Sequence, residues 1–416
     1  MVTVFSLKNG IVVSLNRPCR LGELNVLDGR IVPRNTMNGG RKVSLDLRGR
    51  SYIYPALINS HDHLQGNYLP AVGPKRGNFY LTWQPWDGDL KASPTFVERS
   101  RLSREELYRL SGYKNLFSGV ATVIDHFPHE INREFLPLLP VRAVAEYTLS
   151  HEAAPNDLKW GAGIGVEHRR ALKKNWPFVT HLAEGFDDIC MGAVERLEKH
   201  KALDDHCLLV HCIALSDRDI RKIAGAGASV CWCPASNMRM FNVSAKVRKM
   251  LKAGINLSLG TDSSATGSVN LLEELRYARN LYRRLYGEEL PARTLFKMVT
   301  LNAARALRIA GRTGVLDPGK LADLMLIKAR RDDPFENLLE ARPQDIELVV
   351  VAGRAIYGEE RFLALAEASC GRVVVGSRTM FVAGDPGALY REVRRKLGFN
   401  KVLEYLPFEP EGKGRP

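Results

Sequence analysis

The chain has 416 residues, 45% of them hydrophobic, 25% charged and 8% aromatic, an ordinary globular composition with apolar material for a large core. This balance excludes disorder, collagen and coiled coil as the main state. Lys and Arg number 60 against 46 Asp and Glu, a formal charge of +14, which can steer anionic ligands but says nothing about fold.

Residues 1–50 read as short β-branched runs (2–7, 11–15, 24–27, 30–33 and 43–47) separated by Asn9-Gly10, Asp28-Gly29 and Asn38-Gly39-Gly40. From Ser51 apolar strands alternate with amphipathic helices, the pattern of βα units around a parallel sheet. Ser103 with Glu106 forms a capping box for a first long helix, whose face carries Leu107, Leu110, Lys114 and Phe117 and which stops at Gly119. Barrel strands are predicted at 53–61, 120–126, 141–148, 178–182, 207–211, 228–233 and 256–262. An eighth, needed to close a (β/α)8 TIM barrel, is assigned to the Gly-rich stretch 158–166. Helical stripes follow at Leu271, Leu275, Ala278, Tyr282 and Leu285, and at Leu295, Met298, Val299, Ala303 and Ala306. Short strands return at 322–328 and 346–357, turning at Ala352-Gly353, so both chain ends are expected to build one β-domain. The expected division is residues 1–50 with 315–375, a barrel over 51–314, and a helical tail over 376–416.

Seven irregularly spaced cysteines (Cys19, Cys190, Cys207, Cys212, Cys231, Cys233 and Cys370) do not make a disulfide framework and point to the cytoplasm. The first residues lack a basic start, and no apolar run reaches about 18 residues, so neither secretion nor a membrane span is expected. The clusters Arg169-Arg170-Lys173-Lys174 and Arg391-Arg394-Arg395-Lys396 read as solvated helix faces, not as a nucleic-acid surface.

Chemistry gathers at predicted strand ends. His61 and His63 are two apart, so both imidazoles point to one side of a strand and can share a cation. His181, His211 and Asp262 end three other strands, on the face where barrels of this kind build active sites. The chain resembles the amidohydrolase superfamily, in its branch of cytosine-, guanine- and adenosine-type deaminases and triazine chlorohydrolases. The resemblance is carried by His61-Asp62-His63, His181-Leu-Ala-Glu184, Val210-His211, Cys233-Pro-Ala-Ser236-Asn237, Gly260-Thr261-Asp262-Ser263, Thr300-Leu-Asn302-Ala-Ala304 and Gly319-Lys-Leu-Ala-Asp323-Leu. It implies that the terminal strands form a small composite β-sandwich.

The donor set of His61, His63, His181 and Asp262 suits one divalent ion with an open position for water, Zn²⁺ ahead of Fe²⁺. Such an ion lowers its water's pKa to about 7, giving a hydroxide nucleophile whose proton Asp262 can accept. Glu184 is then placed to carry a proton to a ring nitrogen or leaving group, and His211, by resemblance, to polarise the attacked carbon or hold the hydroxide. Binuclear members of the superfamily use a carboxylated lysine on the fourth strand; here only Lys159 offers one, so a single ion is expected. Gln65, Trp83, Trp86 and His151 are candidates for substrate contact, with His126 and His129 as further pocket-lining positions, and Cys231 and Cys233 are assigned to the barrel wall. The pattern departs from the family at Pro55-Ala56, at Asp62 between the histidines, and in the short 149–178 region.

The expected function is hydrolytic deamination of an aminated N-heterocycle of purine, pterin, pyrimidine or triazine type. Hydrolysis of a cyclic amide or a carbon–halogen bond is the alternative within the superfamily, and a catalytically inactive barrel with a binding role is the alternative outside it. The partner is a small-molecule substrate, with homo-oligomerisation left open.

Overall fold

A computed structural model describes residues 4–36, 42–74, 78–154, 158–366 and 369–408. The predicted turn at Asn38-Gly39-Gly40 lies outside them.

Both chain ends meet in one ten-stranded sheet. Its N-terminal part comprises β1 (Val4–Val12), β2 (Arg20–Leu27), β3 (Arg30–Val32), β4 (Val43–Asp46) and β5 (Ser51–Pro55). Asp28 and Gly29, both at positive φ, make the tight β2–β3 turn. Asn9-Gly10 does not end a strand as expected: Asn9 sits at φ 53° and the pair forms an irregularity inside β1, between Leu7 and Gly10.

The predicted strand over 53–61 is two strands serving two sheets. β5 pairs with β1, and β6 (Leu57–Asp62) runs parallel to β7 (Val120–Asp125), which pairs with the short β8 (Arg142–Ala143). The next strand is not at 158–166. The predicted 141–148 strand breaks after Ala143, and β9 (Thr148–Glu152) begins a five-stranded parallel sheet with β10 (Phe178–Leu182), β11 (Cys207–His211), β12 (Ser229–Trp232) and β13 (Asn256–Leu259). Residues 158–163 are loop and turn, leading into the helix Ile164–Lys174, because glycines at 161 and 163 take positive φ. The two parallel sheets touch through a parallel bridge between Asp62 and Asp262.

The helix Arg104–Leu116 begins at the Ser103–Glu106 capping box, as its sequence dictates. The C-terminal part of the large sheet contains β14 (Leu324–Lys328), β15 (Ile346–Val351), β16 (Arg354–Glu359), β17 (Cys370–Val375) and β18 (Arg378–Ala383), with β14 lying antiparallel against β5. β18 therefore occupies part of the stretch expected to be a helical tail; the helix there is Pro386–Leu397. None of the described helices is long and apolar enough to cross a membrane.

Candidate active site

Strand alternation sends His61 and His63 to one side of β6 and Asp62 to the other. On the first side, Asp262 Oδ1 lies 3.7 Å from His61 Nε2 and 3.6 Å from His63 Nε2. The His181 ring centroid is 5.1 Å from that of His61 and 5.4 Å from that of His63. All four residues expected to hold a cation thus come together, and His126 joins them: one nitrogen from each of His61, His63, His126 and His181 falls within 4.8 Å of the others. Sequence reasoning had given His126 only a place on the pocket lining.

Two observations test whether these residues fit a metal. Both ring nitrogens of His61 and Nδ1 of His181 are buried without a hydrogen-bond partner, an arrangement that costs free energy unless another group takes the lone pairs. Burial, reinforced by neighbouring imidazoles, holds His61, His126 and His181 well below the ordinary histidine range, so these rings are neutral at pH 7. Neutral, converging imidazoles beside a carboxylate oxygen are the donor chemistry of a Zn²⁺-class cation.

The carboxylate is oriented by its own partners. Asp262 Oδ2 accepts hydrogen bonds from Ser236 Oγ at 2.7 Å and Thr266 Oγ1 at 2.6 Å, leaving Oδ1 toward the histidines. Glu184 stands next to this set, with Oε1 3.4 Å from His211 Nε2. Burial first, then the charges of Asp262 and Glu152, push its carboxyl well above the usual range. The Asn237 side-chain amide lies 3.0 Å from His211 Nδ1; with that amide donating, the proton of the neutral ring sits on Nε2, facing Glu184. Burial lowers His211 to about 4. Ala183, His211, Cys212 and Asp262 all adopt positive φ, between 52° and 69°. Four non-glycine residues in this sparsely populated region at adjoining strand ends mark backbone strain concentrated at one site.

The remaining candidates divide. His151 lies between two tryptophans, its ring 4.6 Å from Trp83 and 4.6 Å from Trp160, and 5.0 Å from His181. Trp83 opens the helix Trp83–Ala92 and donates to Glu152 Oε2 at 2.9 Å. The segment leading into this helix is tied down by a Thr82–Gly185 bridge and by the Tyr80 N–H donating to Met240 O at 3.0 Å. Trp86 instead donates to Val72 O at 3.1 Å, and Gln65 is turned toward the Tyr108 hydroxyl; none of the described contacts joins either to the histidine cluster. His129 is engaged with Tyr147 O at 2.9 Å. Lys159 is exposed on the loop after β9. Cys231 and Cys233 are buried in a core cluster, and all seven cysteines are free. Sequence reasoning missed roles for Ser236, Asn237 and Thr266; the first two stood in a quoted motif, but strand-end logic does not reach side chains carried on the next helix.

Parallel strands flanked by helices, with imidazoles and carboxylates converging at the strand ends, define a metal-assisted hydrolase. The model of the amidohydrolase family matches residues 174–356. A 5-methylthioadenosine/S-adenosylhomocysteine deaminase of Syntrophobacter fumaroxidans is 32% identical over 424 residues, covering 86% of this chain and 94% of the relative. Among solved structures, a zinc-bound adenosine deaminase from Xanthomonas campestris superposes with a TM-score of 0.74 at 18% identity, covering 95% of this chain and 98% of the other. A variant of atrazine chlorohydrolase from Arthrobacter aurescens, complexed with zinc and atraton, gives a TM-score of 0.74 at 19% identity, covering 94% and 100%. The chain belongs to the amidohydrolase family and is a hydrolase of carbon–nitrogen bonds.

Proposed function

We propose that this protein deaminates an aminopurine nucleoside, holding one Zn²⁺ through His61, His63, His181 and Asp262. The observation that carries the reading is the Glu184–His211 pair, 3.4 Å apart and buried beside that donor set: a proton carrier adjoining a cation site is what hydrolytic loss of an amine needs. We further read the eight parallel strands β6 to β13 as a barrel closed at the Asp62–Asp262 bridge, with the ten-stranded sheet as its companion domain.

A divalent cation at this site supplies a water that is nucleophilic at neutral pH. The chain's own residues do the rest. Asp262, its Oδ2 fixed by Ser236 and Thr266, would help to hold the cation through Oδ1 and would take up the proton of the attacking water. Glu184, kept protonated by burial, donates to a ring nitrogen, and the attacked carbon becomes tetrahedral. His211 Nε2–H steadies the oxygen arriving at that carbon. As the carbonyl forms, Glu184 takes back a proton from the hydroxyl on the tetrahedral carbon, and the proton held by Asp262 passes to the departing amine, which leaves as ammonia with both carboxyls restored. Trp83, His151 and Trp160 present aromatic surface at the same mouth, suited to a planar heterocycle.

The test is ammonia release from Zn²⁺-loaded protein over a panel of adenosine, 5′-methylthioadenosine, S-adenosylhomocysteine, guanine, cytosine and an aminotriazine. Turnover confined to the adenine nucleosides is expected. Turnover of guanine, cytosine or the triazine alone would replace the nucleoside assignment, and a metal-loaded protein inert to the whole panel would overturn it.

A further inference from the structure

Asp62, between the two histidines of β6, points away from the donor set into a buried polar network centred on Lys114. Asp62 is 0% and Lys114 1% exposed, so neither charge is relieved by water. Lys114 Nζ donates to Asn67 Oδ1 at 2.6 Å and Thr261 Oγ1 at 3.1 Å, and lies 3.3 Å from Asp62 Oδ2. Asn67 Nδ2 donates to Asp62 Oδ1 at 2.8 Å, and Asn115 Nδ2 to Asp62 Oδ2 at 3.1 Å. Asn59 Nδ2 reaches Thr261 Oγ1 at 2.9 Å. One cation thereby ties together the strand bearing His61 and His63, the turn that follows it, the helix Arg104–Leu116, and Thr261, the neighbour of Asp262.

The position of this network matters because the seam it crosses has little backbone pairing. β6 and the end of β13 meet at the Asp62–Asp262 bridge, where the Asp262 N–H donates to His61 O at 3.1 Å. The separation between the imidazoles of β6 and the carboxylate of Asp262 therefore depends on side chains behind the strands. An ion pair adds little net stability when buried, yet it enforces geometry on the segments that it joins.

We propose that Lys114, through Asp62 and Thr261, is the positioning residue that sets the spacing between the His61–His63 pair and Asp262, and so sets cation affinity. This rests on the cation-site reading above. The test compares the parent protein with Asp62→Asn/Lys114→Met, which removes both charges together and so leaves no buried charge unpaired, and with the nearly isosteric Asp62→Asn. Thermal melts establish that each is folded, and chelator competition with Zn²⁺ and the visible spectrum of the Co²⁺-loaded protein report the site without reference to turnover. The expected result is a folded variant with Zn²⁺ affinity weakened on the order of 10–100-fold, the usual effect of losing the groups that orient metal ligands, together with an altered Co²⁺ spectrum. Should the double variant fail to melt cooperatively, Asp62→Asn alone is expected to move both readouts in the same direction. A folded variant with the parent's affinity and spectrum would overturn the proposal and leave the network as scaffold only. A parent protein that binds neither ion would instead refute the cation-site reading.

Discussion

Glu184 and His181 stand three residues apart, and the proposed mechanism gives them separable jobs. Glu184→Gln keeps size and hydrogen-bonding reach but deletes the transferable proton, so Zn²⁺ and substrate are expected to bind while kcat falls by about 10²–10⁴, the usual worth of a general acid. Unchanged kcat, measured on whichever substrate of the panel turns over, would make Glu184 structural. His181→Ala removes an imidazole from the donor set itself. Elemental analysis after dialysis is expected to show metal well below one equivalent, with circular dichroism unchanged because His181 sits in a strand whose packing is apolar. Full occupancy in that variant would exclude His181 as a ligand.

At the scale of elements, the helix Leu271–Tyr286 shows how one buried carboxyl couples segments. Glu274 accepts from the Ala235 N–H at 3.0 Å and the Ser268 N–H at 3.2 Å, joining this helix to Pro234–Phe241, which carries Ser236 and Asn237. Burial raises its pKa from 4.5 to about 7. The folded state thus holds this proton more tightly than the unfolded chain, and the associated stability is complete below 4.5 and lost as pH rises through about 7. Urea titrations from pH 4.5 to 7.5 are expected to show the parent losing stability relative to Glu274→Gln as pH rises through about 7, the buried neutral histidines contributing equally to both proteins; a difference between the two that stays constant with pH would assign Glu274 an ordinary pKa. Elements with strong local signals were legible in sequence: the Ser103–Glu106 cap placed its helix, and the Ala352-Gly353 turn its hairpin. The missed strand β9 shows what was not. Its residues, Thr148 to Glu152, end in His151 and Glu152, whose polarity masks a strand that is buried throughout: the His151 ring packs against His181, and Glu152 accepts from Trp83. Lys114 was equally opaque: it lies on an apolar helix stripe, and only its distant partners Asp62 and Thr261 explain a charge there. The strand-borne ligands were readable because strand periodicity fixes their direction, whereas Ser236 and Thr266 reach Asp262 from separate segments of the chain.

For the molecule as a whole, the cation is expected to fasten the site and not the fold, since the core clusters are apolar and extend through the parallel strands and the large sheet. Chelation should abolish turnover, restored by added Zn²⁺, while the unfolding free energy falls only by the linkage amount, about 2.7 kcal/mol for ligand at 100 times its Kd, and a cooperative melt persists. Loss of the entire melting transition on chelation would show that the cation organises the fold. The large sheet carries a different consequence, one of time. β5 is completed by β14, whose first residue, Leu324, follows Pro55 by most of the chain. At about 5–20 residues per second a ribosome needs on the order of 10–50 seconds to bridge that gap, and throughout it β5, with Tyr52, Ile53 and Tyr54, waits with one edge open. Synthesis of this protein thus contains an interval in which its N-terminal strands present an unpaired edge to other chains.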